Sequence, residues 1–261
     1  MKKAIIIGAT SGIGREVARQ LAQDGWQIGI AGRREEMLQS IQAEFSKEQV
    51  KYAVLDITET DAPSKLQTLI DELGGMDLYF HSSGIGSQNA ALEPEIEIRT
   101  ARTNCEGFVR MVTYAFNYFK NHASKEHHGH IAVISSIAGT KGIGVAPAYS
   151  ATKRFQNTYL QALVQLAHLQ HLPIHFTDIR PGFVATDLLR DSYYPMLMKA
   201  EPVAREIVWA LKHHKRIRII DWRYRLLVFF WRLIPRPIWE RLKIKKESNK
   251  RYIFLSFQEY L

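Results

Sequence analysis

Short apolar runs recur along the chain, and the segments between them carry apolar residues every three or four positions. The runs AIII (4–7), QIGIA (27–31), VKYAVLD (50–56), DLYF (77–80), HIAVI (130–134) and IHFTDI (174–179) read as strands. The helical spacings predict helices over Gly12–Gln23, Glu35–Phe45, Ala62–Leu73, Ile96–Phe119 and Tyr149–His168. Continuous apolar strands alternating with helices predict an α/β fold: one doubly wound parallel sheet with helices on both faces. This pattern is expected to form a single domain over residues 1–220, with 221–261 a basic, aromatic, helical C-terminal extension. No repeat, low-complexity block or interdomain linker interrupts it, and no uncharged apolar run reaches the length of a membrane span.

Composition narrows the setting. With 261 residues and 46% hydrophobic content the chain can bury a substantial core. Cys105 is the sole cysteine, so an intrachain disulfide is impossible and a reducing, cytoplasmic location is expected. The opening MKKAIIIGA starts like a signal peptide, but its apolar run stops at Gly8 and reads better as a first strand. The net charge of +9 is unevenly spread: residues 1–211 hold 21 basic and 22 acidic side chains, residues 212–261 hold 14 and 4. A neutral body with a basic, aromatic tail suggests a surface contact made by the tail.

The first strand runs directly into GATSGIG, with Gly8, Gly12 and Gly14. Glycines let backbone N–H groups approach an anion, and the N-terminus of the following helix favours negative charge. In strand–turn–helix context this predicts a Rossmann-like dinucleotide site rather than a mere tight turn, although the spacing is not G-x-G-x-x-G. The end of the second strand reads Gly32-Arg33-Arg34, where an acidic residue would select NAD. Two guanidiniums can instead grip a 2′-phosphate, so NADP is favoured over NAD; the bland alternative is a pair of solvated arginines. Asp56 could accept a hydrogen bond from the adenine amino group.

The stretch YSATK places a phenol, Tyr149, and an ammonium, Lys153, on one helix face. A cation beside a phenol lowers its pKa from about 10. Taken alone the pair favours the bland reading of an ordinary amphipathic turn, because such pairs are common on helices. Other motifs change that balance. GATSGIG, LDIT at 55–58, Asn104 in TNCEG, ISSIAG at 134–139 with YSATK, and RPGFVATDL at 180–188 occur in order. Together they resemble the short-chain dehydrogenase/reductase family, over about residues 3–220. Ile7 stands where the family loop has Thr, and His81-Ser82-Ser83-Gly84 stands where it commonly has N-N-A-G.

That resemblance implies a hydride transfer between a nicotinamide and a carbonyl or alcohol. Tyr149 would give or take the proton, Lys153 would lower its pKa and hold the nicotinamide ribose, and Ser136 would polarise the substrate oxygen. Moving a phenol from about 10 towards 7 takes about 4 kcal/mol. Asn104 would hold a water that relays the proton. Cofactor contacts are expected from Gly8, Thr10, Ser11, Gly12, Ile13 and Gly14, and from Arg33 and Arg34. Asp56 and Ile57 would meet the adenine, with Ser82 and Gly84 alongside. At the nicotinamide end Asn104, Tyr149, Lys153, Pro181, Gly182, Val184 and Thr186 would take part. No metal is expected; the close histidines of NHASKEHHGH read as a solvated loop.

The family's variable substrate loop falls on DLLRDSYYPMLMKAEP. Beside Ser136 and Tyr149, Tyr193 and Met196, with Tyr194, Leu197 and Met198, would give an apolar lining for a hydrophobic ketone, aldehyde or alcohol. Simple packing under a lid is the equal alternative. In the tail, Leu226, Phe229, Phe230 and Leu233 share one helical face with Arg225 and Arg232 to one side. Such a helix could rest on an anionic membrane, bringing the protein to the inner membrane surface. Packing or an oligomer contact is the favoured reading, since the family forms homodimers and homotetramers; nucleic acid is not expected. The rivals are an NADP-binding regulatory or scaffold protein with weak catalysis, and an epimerase or dehydratase.

Overall fold

Alternate residues of the first strand settle into different cores: Ala4 and Ile6 on one side of the sheet, Ile5 and Ile7 on the other. That is the period-two signature of a strand covered on both faces. The computed structural model describes residues 1–187 and 194–242. Its strands are β1 (Lys3–Ile7), β2 (Gln27–Gly32), β3 (Val50–Val54), β4 (Leu78–His81), β5 (Gly129–Ile134), β6 (Ile174–Arg180), the short pair β7 (Val184–Ala185) and β8 (Met198–Lys199), and β9 (Ile217–Ile219). The main sheet is parallel, in the order β3-β2-β1-β4-β5-β6-β9. Its last strand, β9, adds to the six that the sequence pattern predicts.

The helices are α1 (Gly12–Gln23), α2 (Glu35–Gln42), α3 (Ala62–Leu73), α4 (Pro94–Ala101), α5 (Phe108–His122), α6 (Pro147–Leu169), α7 (Ala200–Lys212), α8 (Trp222–Leu233) and α9 (Arg236–Arg241). On one face, Val17 and Leu21 of α1, Val203 and Ile207 of α7, and Tyr224 and Trp231 of α8 share a core. On the other, Leu66 and Leu69 of α3, Met111 and Phe116 of α5 and Leu160 of α6 share a second. α1 and α3 have the predicted bounds, and α2 stops three residues short of the prediction.

The expected single helix Ile96–Phe119 is broken. A π-type turn over Arg102–Gly107 separates α4 from α5. Its tight spot is Gly107, where a Cβ would lie 2.8 Å from Ile57 Cγ1. Such a turn widens the helix locally and re-aims one side chain, here Asn104.

Strand order reverses between β1 and β4, the place where doubly wound sheets bind ligands beyond the strands' carboxyl ends. The register Ile7↔His81 sets Gly8 beside Ser82 and Ser83 there.

Candidate active site

At the switch point the backbone leaves no room for side chains. Gly8 has φ +88°, and a Cβ on it would lie 2.6 Å from the Ser83 nitrogen; a Cβ on Gly14 would lie 2.2 Å from the Gly8 oxygen. Ser11 precedes α1 in an extended conformation without a side-chain cap, so the helix's first N–H groups are left to a ligand. Gly12 faces Thr186, whose methyl would be 2.8 Å from a Cβ there. These are the features of a cradle for a pyrophosphate, and the glycine set fits a dinucleotide. Ile13 packs against the core, and Thr10 lies against Gly32 and accepts a hydrogen bond from Arg34 at 3.1 Å.

Beyond β2, Arg33 and Arg34 are both exposed. Arg33 lies 3.6 Å from Asp56, and Arg34 reaches Asp187 at 3.2 Å. Burial works to raise the Asp56 carboxyl, but hydrogen bonds from Thr58 and the nearby Arg33 outweigh it and hold the pKa below its ordinary value. Both Thr58 bonds fall on one carboxylate oxygen, and the other faces Arg33. Ile57 is a core side chain whose carbonyl accepts from Arg110 at 2.9 Å.

The adjacent serines after β5 divide their duties. Ser135 donates to buried Asp178, which also holds Arg180 in an ion pair. Ser136 accepts from the Ala138 N–H at 3.1 Å, donates to the Pro181 carbonyl at 3.5 Å, and lies near enough to Tyr149 to act on its phenol. Pro147 opens α6 with the fixed φ that a first helical position favours, which puts Tyr149 in its first turn. Glu97 accepts from the Ala148 N–H at 2.9 Å and fixes that end. Gly86 lies against the Tyr149 ring, where a Cβ would come within 2.6 Å.

Lys153 is buried, with its amine 5.8 Å from the Tyr149 ring centre. It donates to the Ile134 carbonyl and to Gln156 Oε1, both at 3.0 Å. Burial drops its pKa to about 8, while Asp178 and Cys105 pull the other way. The expectation that this amine lowers the phenol's pKa is corrected: burial raises Tyr149 above its ordinary value, and only Ser136 acts downward. The physical reason is that the ammonium is turned to Ile134 and Gln156 rather than to the phenol.

Asn104 is fully buried; its amide accepts from Ile85 N–H at 2.9 Å and donates to Ile85 O at 2.7 Å and Thr152 at 3.1 Å. Its carbonyl accepts from Gln156 Nε2 at 2.9 Å. Gln156 thus links the Lys153 amine to the main-chain carbonyl of Asn104. Sequence reading missed Gln156, Gly86 and Glu97: Gln156 follows Lys153 by one helical turn, whereas Gly86 and Glu97 lie far upstream and carry no local signal. His81, at the departure from N-N-A-G, is buried, bonded to Tyr79 at 2.9 Å, and pushed down to about 3 by burial, with Lys153 adding to the fall. A Cβ added to Gly84 would lie 3.2 Å from Asn104 Oδ1, and Ser82 donates its N–H to the Ile7 carbonyl at 2.8 Å.

The segment after β6 returns to the site. Pro181 and Val184 are buried, and the Pro181 carbonyl accepts from Ile137 N–H at 3.1 Å. Gly182 is required by another neighbour: a Cβ there would strike the Tyr224 ring at 2.2 Å. Of the expected substrate lining, Tyr193 lies outside the described residues. Met196 packs against the core with its carbonyl held by Tyr224, and Met198 is buried in β8. The histidines are not simply a solvated loop. His130 is buried in β5 and bonded to Thr177 at 2.8 Å, and His128 meets His175 at 3.0 Å, because β5 and β6 pair there. Among the described residues no group of three or more ligating side chains could hold a metal.

Comparison with known proteins decides the family. The short chain dehydrogenase family matches residues 2–195. The chain belongs to the short-chain dehydrogenases. This makes it a nicotinamide-dependent oxidoreductase. An uncharacterized oxidoreductase of Myxococcus xanthus is 32% identical over 200 residues, covering 75% of this chain and 77% of its own. One from Mycobacterium tuberculosis is 29% identical over 246 residues, covering 90% and 95%. Among solved structures, the 3-ketoacyl-(acyl-carrier-protein) reductase of Brucella melitensis complexed with NADH superposes with a TM-score of 0.75. It covers 84% of this chain and 96% of its own at 24% identity, a likeness of fold.

Proposed function

We propose that this short-chain dehydrogenase is an NADP(H)-dependent reductase of hydrophobic ketones or aldehydes, running to the matching alcohols. A bound nicotinamide supplies the hydride in that direction. Tyr149 gives its proton to the carbonyl oxygen, and Ser136 donates a hydrogen bond to the same oxygen as negative charge grows there. A phenol raised by burial keeps its proton at neutral pH, which suits an acid. Lys153, still largely cationic at pH 7, is held by Ile134 and Gln156 to meet the nicotinamide ribose. Asn104, locked to Ile85 and Thr152, keeps the wall of the site in place.

One observation carries the reading: Ser136, Tyr149 and Lys153 gather beside the glycine cradle. The NADP preference is supported by exposed Arg33 and Arg34 at the end of β2, which match a 2′-phosphate bidentately. The family's habit supports a homodimer or homotetramer in the cytoplasm. A panel of hydrophobic ketones and aldehydes assayed with NADPH and with NADH tests the reading. Absorbance loss faster with NADPH supports it; turnover with NADH alone, or with neither, refutes it.

A further inference from the structure

Among the described residues, the C-terminal extension packs with one face and exposes the opposite one. On α8, Tyr224, Val228 and Trp231 are buried in the core. At 3.6 residues per turn, Trp222, Leu226, Phe229, Phe230 and Leu233 fall in a sector about 100° wide, centred opposite that buried stripe. Their exposures run from 48% to 63%, where the solvent side of a packed helix is ordinarily polar. Ile238 of α9 is 53% exposed as well. A contiguous apolar patch of this kind marks a contact.

Charge selects the occupant. Arg225 and Arg232 lie together at one side of the patch, and among the described residues neither forms an ion pair. The acids described in the extension, Asp221 and Glu240, are already taken by Arg223 and Arg236. Two copies docked face to face would bring unpaired guanidiniums together with no acid free to answer them. An anionic lipid surface answers both features: phosphates take guanidiniums bidentately, and Trp and Phe suit the boundary between headgroups and acyl chains. Residues 212–261 carry 14 basic and 4 acidic side chains, which strengthens the attraction. No helix among the described residues is long and apolar enough to cross a membrane, so the geometry is one of lying on the surface.

We propose that α8 docks this protein flat on an anionic bilayer, with Trp222, Leu226, Phe229, Phe230 and Leu233 in the interfacial layer and Arg225 and Arg232 on lipid phosphates. The same helix is bolted to the active site. The Tyr224 hydroxyl accepts from Phe183 N–H at 3.1 Å and donates towards the Pro195 and Met196 carbonyls. Trp239 of α9 donates to Gly142 O at 2.7 Å, a few residues after Ser136. Docking therefore brings the segments around the site to the lipid, from which a hydrophobic carbonyl compound would be drawn. That source of substrate rests on the proposed reductase activity; docking itself does not.

The test is co-sedimentation of the full chain with phosphatidylcholine vesicles, with and without phosphatidylglycerol, at low and high salt. The proposal expects binding to the anionic vesicles about tenfold or more tighter than to neutral ones, and release at high salt. The double variants Phe229→Ser/Phe230→Ser and Arg225→Glu/Arg232→Glu should each weaken it about tenfold or more while keeping the parent's circular dichroism. Absence of vesicle binding overturns the proposal. So does binding undiminished in both variants, which assigns the contact to residues 243–261. A dimer broken by Phe229→Ser/Phe230→Ser assigns the face to a second copy and overturns it too. Tyr149→Phe should pellet like the parent after losing reduction, so failure of docking and failure of the reductase reading are told apart.

Discussion

At Gly8 and Gly14 the backbone comes so near its neighbours that one added Cβ would collide, while at Trp222, Phe229 and Phe230 large rings stand more than half in solvent. Both regions serve the same sheet: the glycine loop leaves β1, inside the strand order, and α8 follows the edge strand β9. The first is shaped from within, because close approach fixes each residue type and what remains is room for an anion. The second is shaped from within on one side only. Tyr224, Val228 and Trp231 satisfy the core, and the outward residues form the apolar face that the proposed docking would cover.

The sharpest break would come from the glycine loop. Gly14→Ala puts a methyl 2.2 Å from the Gly8 oxygen. It should cost about 2–3 kcal/mol of stability and abolish measurable NADPH binding, read by thermal melting and by fluorescence titration. A variant that melts and binds normally would show the loop to be looser than described. Next comes pH. Lys153 titrates at about 8, below a free lysine, so its ammonium is present at neutral pH and lost above that point. The kcat/KM for NADPH-dependent reduction should be flat below about pH 8 and fall about tenfold per unit above it; a profile flat to pH 10 contradicts the role of the charge.

The two sides of α8 should respond differently. Tyr224→Phe leaves the Phe183 N–H and the Met196 carbonyl without their hydroxyl partner and should cost about 1–2 kcal/mol in denaturant unfolding. Phe230→Ser, on the bare side, should stay within about 0.5 kcal/mol of the parent in the same experiment. Equal losses for the two would erase the contrast between the buried and the outward face.

The parts legible in the sequence share a local cause. The glycines of GATSGIG are dictated by contacts within one strand–turn–helix unit, and α6 shows Tyr149 and Lys153 through simple helical spacing. What escaped notice depends on distant partners. β9 is three residues long and becomes a strand only because Asp178 pairs with Ile217. The π-type turn hides inside an apolar period that reads as unbroken helix, at a place where Ile57 from a distant segment packs closely on Gly107. Gln156 looks like any polar helix residue until Lys153 and the Asn104 carbonyl are seen on either side of it. The phenol's pKa has the same non-local origin: adjacency on a helix says nothing of burial or of where an amine points.

The central claim is that the Tyr149 hydroxyl moves the proton while the glycine loop holds the nucleotide. Tyr149→Phe, assayed for NADPH consumption with whichever carbonyl substrate the parent reduces and titrated with NADPH in parallel, tests it most directly. The account predicts a fall in kcat of about a thousandfold with NADPH affinity unchanged. Turnover near the parent's rate in that variant would contradict it.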